Sequence, residues 1–150
     1  MRLPHVDLIM NDFENKEVLF LGAHPDDIEI GCFGVISFLS ALGCKITFCI
    51  CTSEGIRKDE IDKSVEDLKK NGINIQNSYL LDFKDTKLYE KKSELKDKLS
   101  EIFSDKKIDF IFTHSRNDLH QDHRLVAEIT LELFRGPNIF AYEIPKFDGN

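Results

Sequence analysis

The chain has 150 residues and a mass of 17.3 kDa, which is the size of one ordinary domain. Hydrophobic residues make up 41% and charged residues 31%, a composition that excludes a mainly disordered chain. The net charge is −7, and no dense cluster of lysine and arginine interrupts the acidic balance. General binding to nucleic acids or to anionic membrane surfaces through charge attraction is therefore disfavoured.

No segment is typical of a membrane protein or of a secreted one. The longest apolar runs, at 18–23 and 46–52, fall far short of the roughly 20 residues that a membrane-spanning helix requires. Residues 1–16 mix acidic and amide side chains and lack the charged-then-apolar pattern of a secretory signal. The C-x-C pair Cys49 and Cys51 fits reduced core cysteines better than a zinc ribbon. We therefore expect a cytoplasmic protein without a membrane span.

Short apolar runs alternate with segments of helical periodicity along the chain. The first run, Glu17–Ala23, is typical of a strand buried on both faces, and Gly43 is placed to end the helix that follows. The predicted strands are 17–23, 45–51, 78–81, 108–113 and 138–142, and the predicted helices are 28–42, 58–70, 91–103 and 119–134. In the first predicted helix, apolar residues recur at helical spacing, at Ile30, Phe33, Ile36, Phe38, Leu39 and Leu42.

This alternation predicts the fold class. Strands and helices of these lengths imply right-handed crossovers and a mostly parallel sheet with helices on both faces. We predict an α/β, Rossmann-like three-layer sandwich with strand order 3-2-1-4-5. In that order the first and fourth strands are neighbours where the strand order reverses, and ligands bind beyond the carboxyl ends of strands at such a point.

The two loops at this predicted reversal contain most of the ligating side chains. His24-Pro-Asp-Asp27 leaves the first strand, and His120-Gln-Asp-His123 opens the helix after the fourth strand. Together they offer two imidazoles and a carboxylate for a divalent metal, with another carboxylate and another imidazole left over. Three protein ligands leave a position open for water, and the spare groups can move protons, as amide hydrolysis requires.

The same residues resemble the signature motifs of a known family. Ala23–Glu29, continuing into Gly31–Gly34, together with Asp118–His123, resembles the two motifs of the PIG-L family, also called LmbE-like, of zinc-dependent de-N-acetylases. Thr52–Gly55 and Asp85–Leu88 are similar to weaker intervening motifs. The resemblance implies a Rossmann-like fold, one Zn²⁺ per chain and an N-acetylglucosamine-type sugar or glycoconjugate as the small-molecule substrate.

The resemblance also implies a role for each motif residue. The implied metal ligands are His24, Asp27 and His123. Asp26 would be the general base, and His120 would stabilise the oxyanion. Asp122 would orient His120 and raise the pKa of that imidazole. Iron or cobalt would suit the same ligands as zinc, so the ligand types alone do not choose the metal.

Other residues near the same edge of the sheet have two interpretations each. Arg116 and Asn117 could contact a sugar hydroxyl or phosphate, or could belong to a solvated loop. Glu54 and Arg57 could line the pocket, although loop polarity alone explains them. We expect His114 to satisfy a backbone group at the strand end rather than to bind metal.

The motifs also have purely structural interpretations. A lone His-Pro is usually a turn, adjacent aspartates usually cap a helix, and a histidine-rich helix start often faces solvent. Glu29 could close the first motif or be a charge in the first helical turn. The joint occurrence of these residues at two loops that are predicted to meet favours chemistry over coincidence.

We therefore expect one domain over residues 1–150 that hydrolyses the acetyl group from an N-acetylated amino sugar. The alternative is a non-catalytic or degenerate metal- and sugar-binding module. Relatives usually continue past Tyr142–Pro145 with elements that wall the substrate cavity. Three interpretations are open: a fragment, a naturally short form, or a protein whose pocket is completed by a partner chain, as in a homo-oligomer. A dinucleotide-binding domain ranks last, because the first strand is not followed by G-x-G-x-x-G.

Overall fold

The structure is a computed structural model, and it describes residues 12–53 and 57–145. Its strands are β1 (Glu17–Gly22), β2 (Lys45–Thr52), β3 (Ile75–Phe83), β4 (Phe110–His114) and β5 (Asn138–Tyr142). Its helices are α1 (Asp27–Ala41), α2 (Arg57–Lys70), α3 (Lys92–Phe103) and α4 (Gln121–Leu133), with a short 3-10 turn at Leu88–Lys91 before α3.

The five strands form one sheet of order β3-β2-β1-β4-β5, and every neighbouring pair is parallel. Helices α1 and α2 pack on one face of the sheet through one apolar cluster, and α3 and α4 pack on the other face through a second cluster. The predicted α/β three-layer fold and strand order are confirmed. Within the described ranges, every helix is too short or too polar to cross a membrane.

Most predicted elements agree with the observed ones to within one or two residues at each end, and β3 differs most. Strand β3 spans nine residues rather than the predicted 78–81, because its polar, exposed stretch 76–78 also pairs with β2. An edge strand tolerates such residues, since it needs a pairing partner on one side only. Helix α4 begins at Gln121 rather than at Leu119, with His120 as its N-cap.

Helix α1 buries only some of the apolar residues that recur along it. Ile30, Phe33 and Phe38 are 58%, 57% and 48% exposed. The residues of α1 that enter the core are Ile28, Cys32, Ile36 and Leu39. Apolar side chains lie on several sides of this helix, so periodicity alone does not choose the buried face.

The cysteines lie in the core, as predicted. Cys32, Cys44, Cys49 and Cys51 are all buried and unpaired. Burial raises the pKa of the Cys32 thiol to about 12, so this thiol stays protonated near neutral pH. A protonated, buried thiol is a packing residue and a poor nucleophile.

Tyr142, the last residue of β5, links this edge strand to the central strand β1. It is buried, and its hydroxyl donates to the Leu21 carbonyl at 2.8 Å. A Cβ added at Gly31 would lie 2.5 Å from Tyr142 Cδ2, whereas a Cβ at Gly34 would have no atom within 4 Å. The absence of a side chain at Gly31 therefore lets α1 pack against the tyrosine.

The two glycines of α1 give a matched test of this contact. Alanine in a helix interior is favoured over glycine by roughly 0.5–1 kcal/mol, so Gly34→Ala should raise the free energy of unfolding slightly. Gly31→Ala should lower it by about 1–3 kcal/mol, because the new methyl group overlaps the tyrosine ring. Urea unfolding of both variants measures the difference. Equal effects would show that Tyr142 does not pack on Gly31.

Candidate functional site

The turn between β1 and α1 is closed by two reciprocal hydrogen bonds. The Asp27 N–H donates to the His24 carbonyl at 3.3 Å, and the His24 N–H donates to Asp27 Oδ2 at 2.7 Å. Pro25 between them is buried and restricts the backbone. The local sequence therefore folds so that the His24 ring and the Asp27 carboxylate lie side by side, with 3.3 Å between Nδ1 and Oδ2.

The loop before α4 is organised by Asp118. Its Oδ1 accepts a hydrogen bond from the His120 N–H at 2.8 Å, and its Oδ2 lies 2.9 Å from His123 Nδ1. Arg124 Nη1 donates to the carbonyls of Asp118 and Leu119 at 2.8 and 2.6 Å. These contacts fix the first turn of α4 and orient the His123 ring.

The two loops bring three ligating atoms together at the carboxyl edge of β1 and β4. His24 Nδ1 lies 3.1 Å from His123 Nε2, and Asp27 Oδ2 lies 3.3 Å from each of these two nitrogens. A tetrahedral ion bound at about 2.0–2.1 Å holds its ligand atoms roughly 3.3–3.4 Å apart. The triangle formed by His24, Asp27 and His123 therefore fits zinc, and we call it the ligand triangle.

Each histidine of the ligand triangle has a carboxylate behind it. His24 Nε2 lies 2.9 Å from Asp85 Oδ1 and 3.3 Å from Asp122 Oδ2, while His123 Nδ1 contacts Asp118. A carboxylate on the far nitrogen orients a metal-binding imidazole and leaves the other nitrogen free. The sequence predicted no role for Asp85 or Asp118, and their place inside motif-like segments was the only signal.

The predicted contact between Asp122 and His120 is not present. The Asp122 carboxylate instead lies against His24 and accepts a hydrogen bond from the Thr86 N–H at 2.8 Å. Only the backbone N–H of Asp122 reaches His120, donating to Nδ1 at 3.2 Å. The physical reason is that His120 is the N-cap of α4 with an extended backbone, so its ring accepts from the Asp122 backbone N–H and the Asp122 carboxylate is directed to other partners.

Asp122 does raise the pKa of His120, as predicted, but other effects outweigh it and the net direction is downward. Burial lowers the pKa of this imidazole, and the neighbouring rings of His24 and His123 lower it further. The opposing effect of the nearby Asp122 charge is smaller. The His120 ring centroid lies 4.6 Å from those of both His24 and His123, so it is a third imidazole on the same patch.

The neighbouring charges shift the pKa values of all three residues of the ligand triangle. Burial by itself would raise the pKa of Asp27, but the close imidazoles of His114, His123 and His24 hold it well below its usual range. Burial likewise opposes charge on His24 and His123, yet contacts with Asp27 and other carboxylates raise the pKa of both imidazoles. Protons and a metal ion would therefore compete for the same nitrogens.

Asp26 is exposed beside the ligand triangle and does not cap α1 with its side chain, although it occupies the N-cap position. The capping interpretation of this carboxylate is therefore not what the structure shows. Glu29, one turn along, accepts a hydrogen bond from the Ser64 hydroxyl of α2 and faces that helix. Among the described residues, no hydrogen-bond partner of the Asp26 carboxylate is found, and the residue is exposed.

The structure gives few or no side-chain contacts for the remaining predicted site residues. Arg116 and Asn117 are exposed in the loop between β4 and α4, and the Asn117 N–H donates to Ser115 Oγ at 3.2 Å. Arg57 is the first residue of α2, but its side chain is outside the described part of the chain. Glu54 also lies outside the described residues.

Comparison of the sequence with known proteins agrees with these motifs. The family model described as PIG-L, GlcNAc-PI de-N-acetylase, matches residues 19–134. An Escherichia coli K12 protein described as uncharacterized deacetylase YaiS is 30% identical over 147 residues. That alignment covers 92% of this chain and 79% of the relative.

Solved structures share the fold at lower sequence identity. The N,N′-diacetylchitobiose deacetylase of Pyrococcus horikoshii has a TM-score of 0.70 at 20% identity, covering 95% of this chain and 70% of that one. The conserved protein TT1542 of Thermus thermophilus gives 0.66 at 22% identity, with coverages of 85% and 66%.

A third neighbour has a different activity. The 4-carboxy-2-hydroxymuconate hydratase GalB of Pseudomonas putida KT2440 gives a TM-score of 0.55 at 16% identity, with coverages of 79% and 55%. The fold therefore occurs in enzymes with different reactions, so assignment of the chain to a family must rest on the motif residues and the sequence match. The family match spans more than half of the 150 residues and includes both motifs of the site, so this chain belongs to the PIG-L family.

Proposed function

We propose that this protein is a zinc-dependent hydrolase that removes the acetyl group from a small N-acetylated amino sugar or its conjugate. The ligand triangle, with edges of 3.1 to 3.3 Å and a free carboxylate beside it, is the observation that carries the proposal. The descriptions of the family and of its relatives support deacetylation, and that of the Pyrococcus enzyme supports an N-acetylglucosamine-type sugar.

His24, Asp27 and His123 would hold the metal. Three protein ligands are typical of a catalytic zinc site, because structural zinc sites usually have four. When bound, zinc would supply the Lewis acidity that polarises an amide carbonyl and makes water acidic enough to react near neutral pH. Asp85, Asp118 and Asp122 would keep the two imidazoles oriented toward the ion.

Asp26 would act as the general base. It directly precedes the ligand Asp27, it is exposed, and its carboxylate makes no hydrogen bond to the end of α1. In amide hydrolysis the attacking water must lose a proton and the leaving amine must gain one. We assign both transfers to Asp26, which would first accept the proton from water and then donate it to the nitrogen as the C–N bond breaks.

His120 would stabilise the carbonyl oxygen as it gains negative charge. Its Nδ1 accepts a hydrogen bond from the Asp122 N–H, so the neutral ring carries its proton on Nε2. The lowered pKa of His120 favours this neutral form. Nε2–H can donate a hydrogen bond to the oxygen, which is stabilising where charge develops in the transition state. Arg116 and Asn117 are the proposed contacts to the sugar.

Metal content tests the ligand assignment. Protein purified without chelator should contain about one zinc per chain, and His123→Ala should lose it because two protein ligands hold zinc too weakly. His120→Ala is the matched control, because His120 also lies within ligating distance of His24 and His123 but is assigned here to the substrate. The measurement is the zinc content of the wild type and both variants by elemental analysis. Loss of zinc from His120→Ala would overturn this ligand set.

Turnover tests the role of Asp26. Asp26→Asn should keep its zinc and lower kcat on N-acetylglucosamine or N,N′-diacetylchitobiose by about 10²–10⁴-fold, the usual contribution of a general base. Asp59→Asn, which changes an exposed acid in the first turn of α2, should leave kcat unchanged. Release of free amine is the measurement.

The result also separates catalysis from simple binding. If the wild-type protein holds zinc and binds these sugars but releases no amine above background, the chain is a binding module and the proposed hydrolysis is wrong. If activity is present and Asp26→Asn does not reduce it, the site works with a different base.

A further inference from the structure

His114 is a buried imidazole that the proposed reaction does not use, and the prediction that it satisfies a backbone group is confirmed by its contact with the Ala23 N–H. It ends β4 and is 1% exposed. Its ring stacks on that of His123 with 3.9 Å between the centroids and 8° between the planes. It therefore lies directly behind one corner of the ligand triangle, on the side away from solvent.

The Nε2 atom of His114 touches the segments that carry the other two corners. It accepts a hydrogen bond from the Ala23 N–H at 2.9 Å, and Ala23 directly precedes His24. It also lies 3.2 Å from Asp27 Oδ2. One side chain on β4 thus contacts both loops of the ligand triangle, which come from two distant parts of the sequence.

His114 is poorly suited to be a metal ligand itself, even though it lies within ligating distance of Asp27 and His123. A neutral imidazole has one acceptor nitrogen, and the Ala23 N–H uses the lone pair of Nε2. The other tautomer would donate from Nε2 to Asp27, but it would leave the buried Ala23 N–H without a partner. Asp27 Oδ2 keeps the hydrogen bond from the His24 N–H in either tautomer, so the need to satisfy the Ala23 N–H favours the first tautomer.

The surroundings of the ring leave it little freedom. The Tyr142 ring lies 4.8 Å from the His114 ring, and the Tyr142 hydroxyl, 3.4 Å from Nε2, is directed to the Leu21 carbonyl. Nδ1 of His114 is buried and has no partner among the described residues. Burying an imidazole nitrogen without a hydrogen-bond partner is energetically costly, so the burial of His114 needs a physical explanation.

We propose that His114 is a positioning residue that holds Asp27 and His123 in the geometry that binds zinc, without being a ligand. This inference rests on the proposed function, because it concerns the same ligand triangle. The ring stack fixes the plane of the His123 imidazole, and the Ala23 hydrogen bond fixes the start of the His24–Asp27 turn. Removing either contact should weaken zinc binding in a protein that is still folded.

Two substitutions separate the two contacts. His114→Phe keeps an aromatic ring beside His123 but removes the acceptor for Ala23, whereas His114→Gln keeps an acceptor but removes the ring. Removing an outer partner of a metal ligand typically costs 10–100-fold in affinity, and we expect a loss of about that size for His114→Phe. His114→Gln should recover part of the loss.

The measurement is the Kd for Zn²⁺ by competition with a chromophoric chelator, with circular dichroism and Tm of the metal-free proteins beside it. Thr113→Val is the matched structural control. Thr113 is the buried neighbour on β4, and its hydroxyl pairs with Thr130 at 3.1 Å on the opposite face of the sheet. This variant should lower Tm and leave the Kd for Zn²⁺ unchanged.

The outcomes are distinguishable. If His114→Phe and His114→Gln both bind zinc as the wild type does, His114 is a packing residue and the inference is wrong. If both lose zinc as completely as His123→Ala, His114 is a ligand and the inference is equally wrong. If wild-type protein binds no zinc, the proposed function fails together with the inference. If His114→Phe does not fold, the Kd of His114→Gln relative to Thr113→Val decides.

Discussion

The site depends on the burial of one carboxylate, that of Asp27. Asp27 is only 7% exposed, and burial of an isolated charge is prohibitively costly. Its Oδ2 accepts the His24 N–H and lies 3.2 to 3.3 Å from nitrogens of His24, His114 and His123. Those partners come from the turn after β1, the end of β4 and the start of α4. Asp27 is therefore stable only where all three segments meet.

The apolar core determines that these segments meet. Strands β1 and β4 pair in parallel through Val18–Phe20 and Phe110–Phe112, so their carboxyl ends reach the same edge of the sheet. Phe20 and Phe112 stack with 4.8 Å between ring centroids beneath that edge. The distance between the two ligand-bearing loops is thus set by the spacing of neighbouring strands, and side-chain hydrogen bonds complete the alignment.

The acidic side chains around the ligand triangle differ in environment. Asp118 and Asp122 are bonded to backbone N–H groups as well as to imidazoles, so they hold loops and rings in place. Asp26 is exposed and makes no capping hydrogen bond to α1. This difference is the basis for the proposed assignment of Asp26, and not of Asp118 or Asp122, as the general base.

Local pattern was a reliable guide to some features of α1 and a poor guide to others. The helix and its glycine stop, Gly43 with a φ of 77°, follow from spacing and turn chemistry. The buried face does not, because apolar side chains lie on several sides of the helix. The contact with Tyr142 through Gly31, more than 100 residues away in sequence, is a tertiary feature that no local pattern contains.

The sequence by itself determined the alternation of strands and helices, the strand order, the two loops that carry His24 and His123, and the family to which they point. Apolar periodicity and short motifs encode these properties locally. Only the tertiary structure decided that Asp122 contacts His24 instead of His120, and that Asp85, Asp118 and His114 support the ligand triangle. The contacts of Asp122 and His114 with the first loop join residues 98 and 91 positions apart, so they depend on which helix and strand faces meet after folding.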